Sequence, residues 1–273
     1  MGEQNLQESS DGLFEDSALK VRLKRYAELT KKVLSNPTTV VGIIIVNLMI
    51  SMAIFAPLIT EANIPDPYQM PRDWGAARMP PGTPGHIMGT TNRGGDVFYG
   101  VVWGARTSLK LSLIVVSFTM VLGVLIGSIA GFFGGRIEEI LMRVVDVFLS
   151  IPELIFALAI AAILGPSFGN IILALVVVFW VKYARIMRAQ VLRVKQSEYI
   201  DAARVIGDSN LRIYFKDILP NSFTPVMVQA TLDMGNIVLV GATLSFIGLS
   251  EAGIAEWGVL VYEGQAGISA GRW

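Results

Sequence analysis

Apolar residues gather into long runs, parted by polar or Gly/Pro-rich pieces. Thr38 to Ile59 carries no charge and is long enough to cross a membrane as a helix, which takes about 20 residues. Leu109 to Phe133 predicts a second span. Ile137 to Leu164 predicts a third, with Pro152 kinking it at mid-membrane beside Glu153. Its first two turns hold Glu138, Glu139, Arg143 and Asp146, and Glu139 and Arg143 are spaced for an i, i+4 pair. Gly165-Pro166-Ser167 turns the chain into a fourth span from Phe168 to Val181, which continues as a helix through KYARIMRAQVLRVK. Phe223 to Gly248 predicts a fifth, with Asp233 and Asn236 near its centre, where a carboxylate is costly unless paired or wetted. We therefore expect Asp233 to face a pathway, together with Glu153. The Gly-rich end, Leu249 to Trp273, cannot span.

Between the first two spans lies an irregular segment from Thr60 to about Gly104. Pro65, Pro67, Pro71, Pro80, Pro81 and Pro84 break any long helix there, and a loop this long is usually functional. Within it, GTTNRGG lacks the Gly-Lys-Ser/Thr ending of a phosphate loop, and His86 has no partner at metal-ligand spacing. In the second span Gly123, Gly127, Gly131 and Gly135 recur every four residues, a helix face bare enough for another helix to approach closely.

The polar stretch Ser197 to Pro220, SEYIDAARVIGDSNLRIYFKDILP, reads as two short helices. Tyr199, Ala202, Ala203 and Ile206 make one apolar face of the first, and Leu211, Tyr214, Phe215 and Ile218 one face of the second. Ser197 can cap the first helix, Glu198 and Asp201 suit its positive end, and Gly207 stands where a left-handed C-cap belongs. Asp208 and Ser209 can cap the second, and Pro220 ends it. At about 10 residues, or about 15 Å, each is far too short to span. Such a pair either lies on a lipid surface or meets a soluble partner.

Composition agrees with a membrane protein. Of 273 residues, 53% are hydrophobic and 16% charged, and mean hydropathy is +0.57. Net charge is zero, so bulk charge points to no nucleic-acid partner. There is no cysteine, which excludes disulfides and thiolate metal sites. The polar, acidic start predicts no cleaved signal peptide. Six Lys and Arg precede the first span and eight lie between Lys182 and Lys216, whereas the segment before Ala105 has only Arg72, Arg78 and Arg93. The positive-inside rule then puts the N-terminus and the 197–220 stretch in the cytoplasm and the long loop outside.

Asp201-Ala202-Ala203, Gly207 and Ile218-Leu219-Pro220 resemble the signature loop of ABC-transporter permeases, with Asp201 where Glu is usual and Asp217 where an apolar residue is usual. His86, Gly89-Thr90, Gly94, Asp96-Val97 and Gly104-Ala105-Arg106 resemble the dipeptide/oligopeptide/nickel permease family, as do LSFIGL at Leu244 to Leu249 and Trp257-Gly258; Thr91, Gly95 and Gly100 depart from it. The resemblance implies an all-α type I importer transmembrane domain over 37–273, after a cytoplasmic segment at 1–36, with an outer loop at 60–104 and coupling helices at 197–220. It implies a C-type permease of a prokaryotic inner membrane, multi-pass with its N-terminus inside, and a sixth span beyond Trp273. Its partners would be a B-type permease, two ATPase subunits, an extracytoplasmic solute-binding protein and membrane lipid, with no nucleic acid. The chain itself would bind no cofactor and do no covalent chemistry: it has no Walker A sequence, and ATP and Mg would sit on the ATPases.

Coupling would fall to Glu198, Tyr199, Asp201, Ala202, Ala203, Ile206 and Gly207, and the pathway to Glu153, Asp233 and Asn236. Di- or oligopeptides are the expected cargo. Nickel or another solute stays open within the family, although the only histidine lies in the outer loop. A secondary transporter or channel not driven by ATP shares the apolar runs, yet needs no helix pair closed by Gly and Leu-Pro.

Overall fold

The computed structural model describes residues 28 and 30–269. Most of the segment 1–36, including the charges from Lys20 to Arg25, lies outside the described residues. The chain divides into one unit up to Ser51 and a second from Met52 onward. In the first, Asn36 Oδ1 accepts the Thr38 N–H at 3.1 Å. Helix α1, Pro37–Ile59, thus begins at a proline, where no N–H is needed.

The second unit is built on helix α2, Val97–Phe133, and helix α5, Phe168–Lys195, which pack along one another. Helix α8, Thr224–Phe246, lies against both. α1, α2, α5 and α8 are each long and apolar enough to cross a membrane. The third predicted span is not one kinked helix. It is helix α3, Gly135–Leu149, and helix α4, Glu153–Leu164, bent by 85°. Pro152 holds ψ at 127°, an extended backbone, so the helix restarts rather than bends. Counting the broken pair as one crossing gives five.

Two further expectations need correction. α2 begins at Val97, not near Leu109, and the long loop before it ends at Asp96, whose Oδ1 accepts the Tyr99 N–H at 2.8 Å as an N-cap. Gly100 and Gly104 are therefore helical. A Cβ on Gly100 would come within 2.8 Å of Leu260 and Met70, and one on Gly104 within 2.6 Å of the Trp257 ring. These glycines admit neighbours rather than break a helix. At the other end of α2 the glycine ladder has three rungs. Gly123, Gly127 and Gly131 meet Tyr183, Ala184 and Val191 of α5. Gly135 does not join them. Gly134 and Gly135 take φ of 67° and 55°, and that left-handed pair ends α2 and starts α3.

The main core lies between α2, α5 and α8, around Leu111, Val115, Leu175, Phe179, Met187, Ile237 and Leu244. A second cluster, with Tyr99, Trp103, Met70, Ile254 and Val259, anchors the loop between α1 and α2. Tyr99 stacks on Trp103 at 5.6 Å, and its hydroxyl donates to Pro67 O at 2.6 Å. Backbone bonds Met70 N to Gly253 O, 2.9 Å, and Ala255 N to Tyr68 O, 2.6 Å, stitch this loop to the segment before helix α9, Trp257–Ser269.

Candidate functional site

The polar stretch folds as two short helices, α6, Glu198–Ile206, and α7, covering 210–222. Ser197 occupies the N-cap position of α6 with an extended backbone, but its side chain makes no capping bond. Gly207 takes φ 93° and ψ 18°. Gly207 N donates to Arg204 O at 3.0 Å and Asp208 N to Ala203 O at 3.1 Å, the paired bonds of a Schellman cap. Ser209 Oγ then accepts from Arg212 N at 3.4 Å and opens α7. Gly207 is thus the joint that sets the angle between the helices.

Pro220 does not end α7. The turn Ile213–Ile218 widens to a π-helix, in which Leu219 N reaches Tyr214 O, five residues back, and Leu219–Ser222 completes an α-turn. The wider turn carries the helix past a residue that has no N–H to give.

Each helix spreads its apolar residues over two sides instead of one. Ile200, Ala203, Ile213, Tyr214 and Ile218 turn inward. Tyr199, Ala202, Val205, Ile206, Leu211 and Phe215 are exposed, Val205 at 88% and Ile206 at 82%. Two arginines pair locally, Arg204 with Asp201 at 2.8 Å and Arg212 with Asp208 at 3.2 Å. Glu198 is exposed at the start of α6. An apolar surface with a charged margin, on a rigid pair of short helices, suits a protein partner.

The carboxylates within the membrane do not meet one another. Glu153 pairs with Lys182 of α5, Nζ to Oε1 at 2.6 Å, and not with Asp233. Two acidic residues of α3 also reach α5: Asp146 pairs with Arg185 at 2.5 Å, and Glu138 accepts from Arg188 Nε at 2.6 Å. Lys182, Arg185 and Arg188 recur every third residue along α5 and take these acidic partners, whereas the local Glu139–Arg143 pair expected from spacing is not among the ion pairs of the described residues. Asp233 is 3% exposed, enclosed by its own chain. Its Oδ1 accepts from Gln229 Nε2 at 3.0 Å. Its Oδ2 and the neighbouring Tyr183 hydroxyl lie outside hydrogen-bond geometry. Asn236 is half-buried.

Outside the spans, Glu256 is 2% exposed, and its Oε2 accepts from Ser245 at 2.8 Å and Ser250 at 3.2 Å. Burial pushes its carboxyl up to about 6, against the two serine hydrogen bonds that pull it down. His86 Nδ1 lies 2.7 Å from Asp96 Oδ2, so the lone histidine braces the cap of α2.

Residues 123–268, from the ladder of α2 to the end of α9, match the model of a family described as the binding-protein-dependent transport system inner membrane component. This chain belongs to that family. It is an all-α, multi-pass membrane permease of the ABC importer type. Residues 27–81 also match the N-terminal transmembrane domain of oligopeptide transport permease C. The permease is 36% identical over 249 residues to the dipeptide transport system permease protein DppC of Alkalihalophilus pseudofirmus, covering 91% of this chain and 80% of that one. It is 38% identical over 240 residues to the probable D,D-dipeptide transport system permease protein DdpC of Escherichia coli, covering 88% and 78%. It is 34% identical over 240 residues to the oligopeptide transport system permease protein OppC of Bacillus subtilis, covering 88% and 77%.

Proposed function

We propose that this permease is the C-type subunit of an ATP-driven importer that carries di- or oligopeptides across a prokaryotic inner membrane by alternating access. The names of its relatives support the cargo, since they speak of dipeptides, D,D-dipeptides and oligopeptides. The observation that carries the mechanism is the exposed apolar surface of α6 and α7, jointed at Gly207. Two ATPase subunits, holding ATP and Mg, dock there, on this chain and on a B-type permease. The residues that meet the ATPase or set its angle are Glu198, Tyr199, Asp201, Ala202, Ala203, Ile206 and Gly207. A solute-binding protein delivers cargo to the outer loop, now bounded at 60–96. The transmembrane domain starts at residue 37, after a cytoplasmic segment.

Glu153 and Asn236, both partly exposed, line the pathway at the subunit interface. Asp233 is enclosed by its own chain and bonds within α8 to Gln229, away from solute.

The test is uptake of labelled dialanine by proteoliposomes holding this subunit, its companion permease and ATPases, with the binding protein outside. Gly207→Val forces a β-branched residue into a left-handed backbone, at a cost of about 1 kcal/mol or more, with no neighbour within 4 Å to confuse the result. It should leave the subunit inserted while uptake and dialanine-stimulated ATP hydrolysis fall together. Wild-type values for both would remove α6 and α7 from coupling. In the same assay Asp233→Asn should keep wild-type preference among dipeptides, and a changed preference would return Asp233 to the pathway.

A further inference from the structure

The chain grips the end of α2 on both sides of α6. Just before α6, Lys195 Nζ donates to Phe132 O at 2.6 Å and lies over the Phe132 ring, 5.7 Å from its centroid. Just after α6, the Tyr214 hydroxyl sits 2.6 Å from Ser128 Oγ, and both side chains are buried. Ser128 has one hydroxyl hydrogen, and Oγ is placed to donate it to Leu125 O at 3.1 Å. Tyr214 is then the donor to Ser128. The Tyr214 ring also tilts against Phe132 at 4.9 Å. Tyr214 lies in the π-turn, and its own carbonyl takes the five-residue bond from Leu219. The wide turn and the inward hydroxyl therefore occur at one residue.

α2 is suited to carry a displacement. It runs unbroken for 37 residues, or about 55 Å, well beyond the thickness of a bilayer core. Its glycine rungs bring its backbone close against Tyr183, Ala184 and Val191 of α5. Its far end is tied to the outer loop through the Tyr99 hydroxyl on Pro67 O, and to α9 through Trp257 Nε1 on Val101 O at 3.0 Å. A movement of α6 and α7 applied at Ser128 and Phe132 reaches the outer loop along one helix.

We propose that Tyr214, hydrogen-bonded to Ser128, is the positioning residue that ties the coupling helices to α2 and so links ATPase movement to the outer loop. The inference rests on the coupling reading above and adds the residue through which the force passes. A hydroxyl pair inside the packed end of α2 is a short, directional link. Apolar contact alone would let α7 slide along α2.

The experiment uses the complete transporter with its binding protein, and measures dialanine imported per ATP hydrolysed. Tyr214→Phe keeps the ring against Phe132 and removes only the hydroxyl. Ser128→Ala removes the other half of the bond. Each should lower the ratio about five-fold, the scale of one neutral hydrogen bond. The double variant should fall no further than either single, and Ser128→Thr, which restores a hydroxyl, should recover the ratio. ATPase subunits should stay bound to every variant, because the exposed tips of α6 and α7 are unchanged. A role in packing alone would change yield and melting temperature but leave import per ATP as in wild type, and that result would overturn the proposal. Additive losses in the double variant would overturn it too. Failure of the wild-type subunit to retain ATPases would instead sink the coupling reading itself.

Discussion

Lys182 reaches Glu153 across the break between α3 and α4, with Nζ 2.6 Å from Oε1. Both side chains are about one-quarter to one-third exposed, Lys182 at 27% and Glu153 at 32%. The pair lets a carboxylate sit at the start of an apolar helix whose other eleven residues carry no charge. Lys182→Ala strands the carboxylate, at a cost of about 1–3 kcal/mol. Adding Glu153→Gln removes the stranded charge and should recover most of the loss. Melting of the purified subunit in detergent checks this. If the double variant is less stable than Lys182→Ala, the pair is not what shelters Glu153.

The rungs of α2 respond differently from other glycines. A Cβ on Gly127 would strike the backbone carbonyl of Ala184, which cannot rotate away. Gly127→Val should therefore part α2 from α5 and destabilise the subunit by about 1–3 kcal/mol or more. In Gly169, near the start of α5, an added Cβ would meet only Ser167 Oγ at 3.8 Å. Gly169→Ala should be neutral or stabilising by up to about 1 kcal/mol. Equal behaviour of the two variants in detergent melts would show that the α2–α5 approach is loose.

Glu256 makes the junction between α8 and α9 sensitive to pH. Its folded carboxyl titrates near 6, above its ordinary value of 4.5. The fold thus prefers the protonated form, and binds more protons than the unfolded chain between those values. The stabilisation is fully present below 4.5 and is lost as pH rises through 6. The difference amounts to about 2 kcal/mol. Other carboxylates titrate in the same range, so the readout is the stability of wild type relative to Glu256→Gln, which mimics the neutral form. Wild type should match the variant near pH 4 and fall below it by pH 7. A difference that does not change with pH would show that Glu256 is not held neutral.

Orientation is open to a direct check, because the chain has no cysteine of its own. Arg78 lies exposed in the loop between α1 and α2, and Lys216 exposed on α7. In whole spheroplasts an impermeant thiol reagent should label Arg78→Cys at once and Lys216→Cys only after the membrane is opened. The reverse order would invert the topology.

Much of this protein is legible in one dimension because its strongest signals are local. A run of uncharged apolar residues such as Thr38 to Ile59 needs no tertiary partner to form a helix in lipid, where each backbone group must be satisfied within its own segment. The Gly207 joint was equally legible, since a left-handed C-cap depends on the residues beside it. Gly100, Gly104 and Gly135 were misread because glycine has two uses. It permits a turn at Gly135 and admits Leu260 and Trp257 at Gly100 and Gly104, and only the neighbours tell these apart.

The rest was decided in three dimensions. Pro152 announced a disturbance, but its size depended on where α4 found packing against α5. The partner of Glu153 lies 29 residues away on another helix, so spacing along its own helix pointed toward nothing useful. The apolar residues of α6 and α7 obey helical periodicity. Which of them turn to the core and which stay bare was settled by the end of α2, where Ser128 and Phe132 receive Tyr214 and leave Val205, Ile206 and Phe215 outside. Periodicity follows from the geometry of one helix. The choice of buried face is a property of the surface on which that helix lands.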